Sequence, residues 1–446
     1  MDYEAVIGLE VHAQLRTDSK IFCSCSTTFG ATPNSNTCPI CLGMPGVLPV
    51  MNRRVAEFTI KMALATHCRI NPVNSFARKN YFYPDLPKGY QISQYASPLA
   101  EAGYVDIEIN GDRKRIGITR IHMEEDAGKL THVQSEDQSY SLVDLNRAGV
   151  GLLEIVSEPD MRSPEEAREY LVVLRSLLRY LGVSTGNMEE GSFRCDANIS
   201  LRPIGSTAFG AKVEVKNMNS LSALEKALAY EERRQVDVLR GGCAVLQETR
   251  HWDDSSGRTL SSRGKEEAHD YRYFPEPDLP SIAITEEQVQ KIRKTLPELP
   301  WEKENRFIEN FCLSLEETDL LIAKKDMAEY FESVVKAGVK PRRAVNWFKT
   351  EILRLMNEGR FEPEDPAISA DELANLLKAV DRGAISNTAA KDVWGKMLSE
   401  GLTAAEAMEM LGLSGGSLKK ERLRKIIEGI IEEQHEVTEE IRSGKD

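Results

Sequence analysis

The sequence predicts an α+β protein in which a sheet-containing N-terminal part precedes all-helical parts. Up to about residue 290, short β-rich segments alternate with a few helices and many Gly, Pro and Asn turns. After the proline-rich stretch 275–280, Ser or Thr followed three residues later by Glu or Gln opens one amphipathic run after another, which is typical of helix starts. A length of 446 residues suits several folded units and excludes a single small domain.

The individual elements follow from local patterns. Strands are predicted at 5–9, 104–109, 115–121 and 213–215. Ser163-Pro164-Glu165-Glu166 reads as a capping box with Pro at the first helical position, and a second helix fits Ser220 to Leu239. Later helices are predicted to begin after Thr285, Ser314, Ser369 and Thr403, with a linker at 359–366. We therefore expect domains at 1–292, 293–362 and 363–446.

Composition narrows the class of protein. The chain is 41% hydrophobic and 28% charged, as in ordinary globular proteins, and no apolar run approaches the ~20 residues that span a bilayer. The N-terminus carries no basic leader or cleavage site, so we expect a cytoplasmic protein without a membrane partner. The net charge of −13 opposes non-specific binding of nucleic acid, so an RNA partner would need a local basic patch.

Half of the eight cysteines lie within 19 residues, in a region we call the cysteine knuckle (Cys23, Cys25, Cys38 and Cys41). The CxC and CxxC spacing lets four thiolates converge on one tetrahedral ion, which predicts a structural Zn²⁺. The alternatives are four reduced thiols or a redox CxxC, although a redox motif needs no second pair.

Carboxylates and histidines recur inside apolar surroundings at 8–12, 122–126, 153–160 and 194–198. In Glu10-Val11-His12 the strand period of two places the carboxylate and the imidazole on one face. Several carboxylates on one sheet repel each other unless a cation lies between them, and carboxylates with one imidazole suit Mg²⁺. Each stretch alone is better explained as a solvated strand face, but together the stretches favour a site for a hard cation.

Basic and aromatic residues alternate at 78–91, where they either grip a nucleotide or an RNA end or form a Tyr- and Pro-rich surface loop. The GxxxxGK[ST] phosphate loop is missing from the sequence, because Met123 and Leu130 stand at two of its required positions around Gly128-Lys129. ATP, if bound, is therefore expected outside a P-loop.

Long stretches of the first half closely resemble the B subunits of the aspartyl/glutamyl-tRNA amidotransferases. They include Val6-Ile7-Gly8-Leu9-Glu10-Val11-His12 and His122-Met123-Glu124-Glu125-Asp126-Ala127-Gly128-Lys129. Further matches lie at 78–85, 90–94, 143–147, 154–160, 190–198 and 269–279. The helical half matches in layout more than in motif.

The resemblance implies a cradle domain with an antiparallel sheet similar to glutamine synthetase, a helical domain and a small helical tail that contacts tRNA. It implies ATP-dependent phosphorylation of the side-chain carboxylate of Glu-tRNA(Gln) or Asp-tRNA(Asn), followed by attack of ammonia. The ammonia would come through a channel from an amidase A subunit, and a small C subunit would complete a heterotrimer.

The resemblance also implies site residues. His12, Glu125 and Glu154, with Glu124 beside them, are expected to bind Mg²⁺, and His12, Glu10, Glu125 and Glu154 to form the catalytic group. Contacts to nucleotide or substrate are expected from Lys79, Lys88, Arg194, Asp196 and Asn198. Phosphoryl transfer between two anions needs a divalent cation that neutralises charge, so these assignments agree with the residue pattern.

The chain departs from the family pattern in two ways. Some family members lack the cysteine pairs, so zinc rests on the spacing in this chain. The family tail normally continues beyond the equivalent of Asp446, which predicts a truncated tail here. The basic residues Lys419, Lys420, Arg422, Arg424 and Lys425 are expected either to contact tRNA or to form a solvated helix face.

Two other functions are compatible with the residues. One is a non-catalytic, zinc-containing tRNA-binding scaffold. The other is a free-standing carboxylate–ammonia ligase that acts on a small acid and turns over ATP without tRNA.

Overall fold

The structure is a computed structural model that describes residues 2–134, 139–264, 268–413 and 428–429. The described residues form two compact units, one up to Pro300 and one from Trp301. Among the described residues, no helix combines the length and apolar character that a bilayer span requires. The basic residues predicted at 419–425 lie outside the described residues.

The strands are β1 (Tyr3–Gln14), β2 (Arg69–Ile70), β3 (Val73–Asn74), β4 (Ala77–Asn80), β5 (Tyr90–Ser93), β6 (Ala100–Ile109), β7 (Asp112–Glu125), β8 (Lys129–Gln134), β9 (Ser139–Asp144), β10 (Gly151–Ser157), β11 (Phe193–Pro203), β12 (Val213–Lys216), β13 (Glu248–Asp253), β14 (Arg258–Gly264), β15 (Phe274–Pro275) and β16 (Ile282–Ala283). The first unit is built on a nine-stranded sheet with the order β14-β13-β12-β11-β1-β10-β7-β6-β2. Its neighbours pair antiparallel, except for the parallel pair β12 and β13. Three small sheets, β15-β4-β5, β16-β3 and β8-β9, accompany it.

Each Ser or Thr at which the sequence predicts a helix start caps a helix with its side chain. The helices are α1 (Arg53–Ala65), α2 (Pro164–Tyr180), α3 (Leu221–Arg240), α4 (Glu286–Arg293), α5 (Pro300–Phe311), α6 (Leu315–Ile322), α7 (Lys325–Lys336), α8 (Pro341–Trp347), α9 (Leu353–Asn357), α10 (Ala370–Asp381), α11 (Asn387–Glu400) and α12 (Ala404–Met410), with a 3₁₀ turn at Ala268–Tyr271 and a π-helical turn at Phe348–Ile352. Full capping boxes form at Thr285, Ser314 and Thr403, which confirms those predictions.

Two predicted capping boxes form only in part. Ser163 and Ser369 cap their helices with the side-chain oxygen, as expected. The Glu166 carboxylate, however, accepts from the Arg162 backbone and from Lys114, and Glu372 accepts from Asn375 and from the Ala404 backbone. The second half of each box is lost because its carboxylate has other donors.

The two faces of the large sheet differ in polarity. In β1, Leu9, Val11 and Ala13 are fully buried, whereas Glu10 and His12 on the opposite face are partly exposed. Helices α1, α2 and α3 pack against the sheet, and Tyr170 of α2 lies near Cys195, the strand partner of Val11. One face is therefore the core, and the other is left for polar side chains.

The second unit is helical throughout its described residues and has its own hydrophobic core. This core extends from Phe307 to Ala407 and includes Phe331, Phe348 and Trp394. Buried residues on both sides of the expected 362/363 boundary, such as Phe361 and Ile368, belong to it.

Candidate metal centre and cysteine knuckle

The polar face of the sheet brings distant residues into one row. Strand register places Arg194 opposite His12, His12 opposite Glu154, and Glu154 opposite His122. Residues directly opposite each other in antiparallel strands point to the same face, so the four side chains are neighbours. Glu124 follows two residues after His122 and therefore lies on the same face.

Three of these residues form what we call the carboxylate cluster (His12, Glu124 and Glu154). The His12 Nε2 atom lies 3.5 Å from Glu154 Oε2 and 3.6 Å from Glu124 Oε1. One potential ligand atom from each residue lies within 4.8 Å of the other two. The side chains of Glu124 and Glu154 are only 3% and 9% exposed. Two carboxylates and one imidazole at this spacing are a ligand set for a hard divalent cation.

Charge explains the protonation of this cluster. Burial alone would lower the pKa of His12, but the hydrogen bond to Glu154 and the charges of Glu154 and Glu124 raise it to about 9. Burial would raise the pKa of Glu154, yet His122 and His12 hold it well below its usual range. The positive charge of protonated His12 therefore compensates the negative charges of the carboxylates in the cluster. A metal ion bound to His12 would take the place of that proton.

Glu125 is not brought into the carboxylate cluster. Its carboxylate accepts from the Ile92 backbone N–H at 2.8 Å and from Lys88 Nζ. Adjacent strand residues point to opposite faces, so Glu124 and Glu125 separate at the end of β7. Of the four expected magnesium ligands, the structure groups His12, Glu124 and Glu154.

The other predicted site residues take separate positions on or near the polar face. Asn198 Nδ2 donates to Glu10 Oε1 at 2.9 Å. Glu10 lies two residues before His12 on the same face of β1 but is not among the three members of the carboxylate cluster. Asp196 pairs with Lys216 at 2.7 Å.

The predicted cation Lys79 lies 4.8 Å from the centre of the Tyr271 ring. Burial would lower the pKa of Lys79, but the charges of Glu124 and Glu154 outweigh burial and raise it.

Arg194 is held by a buried carboxylate. Its Nη2 atom donates to Asp126 Oδ1 at 2.8 Å, and Gln14 donates to Asp126 Oδ2 at 2.7 Å. Arg147 lies 3.4 Å from the same oxygen. Burial would raise the pKa of Asp126, but the charges of Arg194 and Arg147 hold it below its usual range.

The sequence predicts no role for three residues of this face. They are His122, Asp126 and Lys216. The Nε2 atom of His122 lies 3.2 Å from Glu154, and its buried Nδ1 atom has no hydrogen-bond partner among the described residues. The spacing of His122 and Glu124 is the sequence signal that could have indicated His122.

The aromatic segment 271–276 contacts β4 through Asn80 and Arg78. Asn80 Nδ2 donates to the backbone oxygen of Tyr271 at 3.1 Å, and Tyr273 stacks on Tyr95 with ring centroids 4.2 Å apart. Further along, Arg78 forms a bidentate pair with the buried carboxylate of Glu276, at 2.7 and 2.8 Å. These contacts anchor the segment at both ends.

The four cysteine side chains of the knuckle also come together in the structure. Its four sulfur atoms lie within 4.8 Å of one another. All eight cysteines lie in the described ranges, and each is a free thiol. A hydrogen bond with Cys23 lowers the pKa of Cys41, and the nearby ammonium of Lys20 lowers it further. Four sulfur ligands at this spacing suit a tetrahedral soft or borderline ion.

The fold and these clusters define a class: a two-unit α+β protein whose antiparallel sheet carries a candidate divalent-cation site on one face, with a separate four-thiol site. Residues 5–290 match the family described as the GatB/GatE catalytic domain, and residues 329–446 match the GatB domain family.

Relatives named as the B subunit of aspartyl/glutamyl-tRNA(Asn/Gln) amidotransferase align over nearly the whole chain. The protein of Solidesulfovibrio magneticus is 53% identical over 99% of this chain and 92% of its own length. The protein of Desulfotalea psychrophila is 53% identical over 100% of this chain and 93% of its own length. The protein of Geobacter sulfurreducens is 52% identical over 100% of this chain and 93% of its own length. The chain belongs to the family of aspartyl/glutamyl-tRNA(Asn/Gln) amidotransferase B subunits.

Proposed function

We propose that this chain is the component of a tRNA-dependent amidotransferase that activates and amidates the aminoacyl group. The substrate is Glu-tRNA(Gln) or Asp-tRNA(Asn), whose side-chain carboxylate receives a phosphoryl group from ATP before ammonia displaces the phosphate. The observation that carries the proposal is the convergence of His12, Glu124 and Glu154 from three strands. Full-length similarity to proteins named for this complex supports it.

We propose His12, Glu124 and Glu154 as the residues that hold Mg²⁺. When bound, the ion neutralises the negative charge that two approaching anions bring together. The role of Glu125 is then to hold Lys88 through their ion pair. The buried surroundings of the two carboxylates keep water from competing for them.

The chain also supplies fixed cations. Lys79 lies near Glu124 and Glu154, whose charges raise its pKa, and we assign its ammonium to contact with a phosphate. Arg194 is oriented by its bond to Asp126, and guanidinium groups suit phosphate and carboxylate oxygens. Asn198 orients Glu10, and Lys216 neutralises Asp196. Substrate anions therefore meet positive groups whose geometry is set before binding.

We further propose that the cysteine knuckle holds a structural Zn²⁺. Four sulfur ligands leave no open position, so the ion would order the loop without taking part in the reaction. The polar loop between the two cysteine pairs has little apolar material, and Phe29, Met44 and Leu48 in this region are exposed. A metal ion would replace the missing core as the source of local stability.

The remaining assignments extend the same proposal. The first domain is a glutamine-synthetase-like cradle at 1–292; the helical part at 293–362 and the tRNA-contacting tail at 363–446 that follow it share one hydrophobic core among their described residues. The partners are an amidase A subunit that frees ammonia from glutamine and a small C subunit, in a heterotrimer. The complex works in the cytoplasm, where aminoacyl-tRNAs are made.

The test is amidation of misacylated tRNA by the reassembled complex that carries Glu154→Gln. Losing one ligand of the ion removes several kcal/mol of transition-state stabilisation, so we expect amidation to fall by about 10²–10³-fold. Binding of tRNA and release of ammonia from glutamine should persist. The matched control is Glu108→Gln, which changes an exposed carboxylate of β6.

The amidation assay and an assay of ATP consumption separate the competing functions. A tRNA-binding scaffold would retain amidation in the Glu154→Gln complex. A free-standing ligase would consume ATP with a small acid when neither tRNA nor partner proteins are present. Either result would refute the proposal.

A further inference from the structure

Lys20 lies between β1 and the cysteine knuckle, and its side chain is buried to an unusual degree. The residue is 0% exposed. Its Nζ atom lies 3.6 Å from Cys41 Sγ and donates to the backbone oxygen of Leu145 at 3.3 Å. Within the described part of the chain, its ammonium forms no ion pair with a carboxylate. Lysines are almost never fully buried unless a charge pairs with them.

A charged sulfur accounts for the burial of Lys20 beside Cys41. Burying an ammonium destabilises the fold unless a nearby anion compensates its charge. A neutral thiol is a weak acceptor, and one carbonyl supplies only a dipole. Four thiolates around one divalent ion carry a net charge of −2, because four negative charges exceed the ion's two positive charges. Such a site provides the anion that the buried ammonium lacks.

We propose that Lys20 is the charge-compensating partner of a thiolate-bound metal ion in the cysteine knuckle, with its N–H group directed at the Cys41 ligand. This inference rests on the proposed zinc site. Donors to metal-bound groups orient the ligands and tune the affinity of the site, and their loss typically weakens metal binding about 10–100-fold. Lys20 is thus a positioning residue for the ion.

The same lysine joins the knuckle to the segment 143–147. The Lys20 backbone N–H donates to Cys25 O at 3.0 Å, while its side chain reaches Leu145. Asn34, in the loop between the cysteine pairs, donates to Val143 O at 3.0 Å and accepts from the Leu145 N–H at 2.8 Å. Two residues later, Arg147 meets Asp126. A metal ion in the knuckle therefore supports the segment that carries Arg147.

The test compares metal binding by the full-length wild type, Lys20→Met and Lys20→Gln. Gln keeps an N–H donor without the charge, and Met keeps neither. The matched control is Lys303→Met, which removes another buried lysine, one that donates to Glu332 at 3.1 Å in the helical unit. Each protein is loaded with Zn²⁺ or Co²⁺. We record the rate of Zn²⁺ transfer to a chelator, the dissociation constant, and the thiolate-to-Co²⁺ charge-transfer absorption.

We expect Lys20→Met to bind the metal at least about tenfold more weakly and to shift the charge-transfer band, because the thiolate loses its donor. Lys20→Gln should fall between Met and the wild type, and Lys303→Met should match the wild type. Equal affinities and spectra in all four proteins would overturn the role of Lys20 while leaving the zinc site standing. A wild type without thiolate absorption would overturn the zinc site itself. If Lys20→Met does not fold, Lys20→Gln decides the question.

Discussion

The cysteine knuckle and the carboxylate cluster are both compatible with a metal ion, yet they are assembled in different ways. The knuckle draws its four sulfur atoms from one 19-residue segment. The carboxylate cluster takes one residue each from β1, β7 and β10, so it exists only when three strands pair in register. The knuckle organises a loop with little core, whereas the cluster is organised by a sheet that is already complete.

This difference predicts opposite consequences when a ligand is removed. A site that orders its own surroundings contributes to folding, because the binding energy of the ion is partly folding energy. A site placed on a finished sheet concentrates charge for chemistry, and the sheet remains stable without it. Stability measurements should therefore separate the two clusters.

The largest effect on stability is expected from Cys38→Ser. The variant should lose its zinc and about 2 kcal/mol or more of unfolding free energy, which corresponds to several degrees of melting temperature. Glu154→Gln should change the melting temperature less, because Gln keeps the volume of the side chain and His12, whose raised pKa depends on Glu154, can release its proton. Metal analysis and calorimetry measure both, with the exposed Cys243→Ser as the control. Equal losses of stability in Cys38→Ser and Glu154→Gln would remove the distinction.

The next effect distinguishes two adjacent carboxylates. Mn²⁺ affinity should fall about tenfold or more in Glu124→Gln, which corresponds to ~1.4 kcal/mol or more, because a ligand is lost. It should change much less in Glu125→Gln, whose carboxylate faces Lys88 and the Ile92 N–H. Electron paramagnetic resonance of bound Mn²⁺ gives both constants. A larger loss in Glu125→Gln would mean that the cation binds on the other side of β7.

A smaller effect should follow from Asp126→Asn. The amide keeps the size of the side chain but withdraws the charge that orients Arg194 and Arg147. We expect about 1 kcal/mol of weaker ATP or tRNA binding, seen as a several-fold rise in KM with a smaller change in kcat. Steady-state amidation kinetics measure the split. A change confined to kcat, with KM constant, would argue against an orienting role.

The clusters also differ in how far the sequence could predict them. Cysteine spacing alone predicts the knuckle, since all four ligands are local. Strand alternation correctly places Glu10 and His12 on one face, but the choice between Glu124 and Glu125 depends on where β7 ends and which strand lies beside it. Asp126 and Lys216 were missed because their partners, Arg194 and Asp196, are defined only by tertiary pairing. The three complete capping boxes were predictable, because each is contained within four residues.

The smallest effect concerns a carboxylate whose role is purely structural and which serves as a reference for both clusters. Glu317 completes the capping box of α6 with Ser314 and pairs with Arg342 at 2.6 Å. The hydrogen bond from the Ser314 backbone and the charge of Arg342 lower its pKa. A lowered pKa adds stability above the ordinary glutamate value, and this stability is lost as pH falls through the folded value. Glu317→Gln should therefore cost about 0.5–1 kcal/mol at neutral pH.

The difference in unfolding free energy between wild type and Glu317→Gln should shrink steadily below the ordinary glutamate pKa. It should vanish once Glu317 is uncharged in both the folded and the unfolded state. Urea unfolding of the full chain at several pH values, followed by the tryptophan fluorescence of the helical unit, measures it. The exposed Glu364→Gln is the control, and it should show no pH-dependent difference. A gap for Glu317→Gln that stays constant down to pH 3 would mean that the side chain acts through packing. In that case the charge of Glu317 would not contribute to the stability of α6, and Glu317 could not serve as the charged structural reference for the carboxylate cluster.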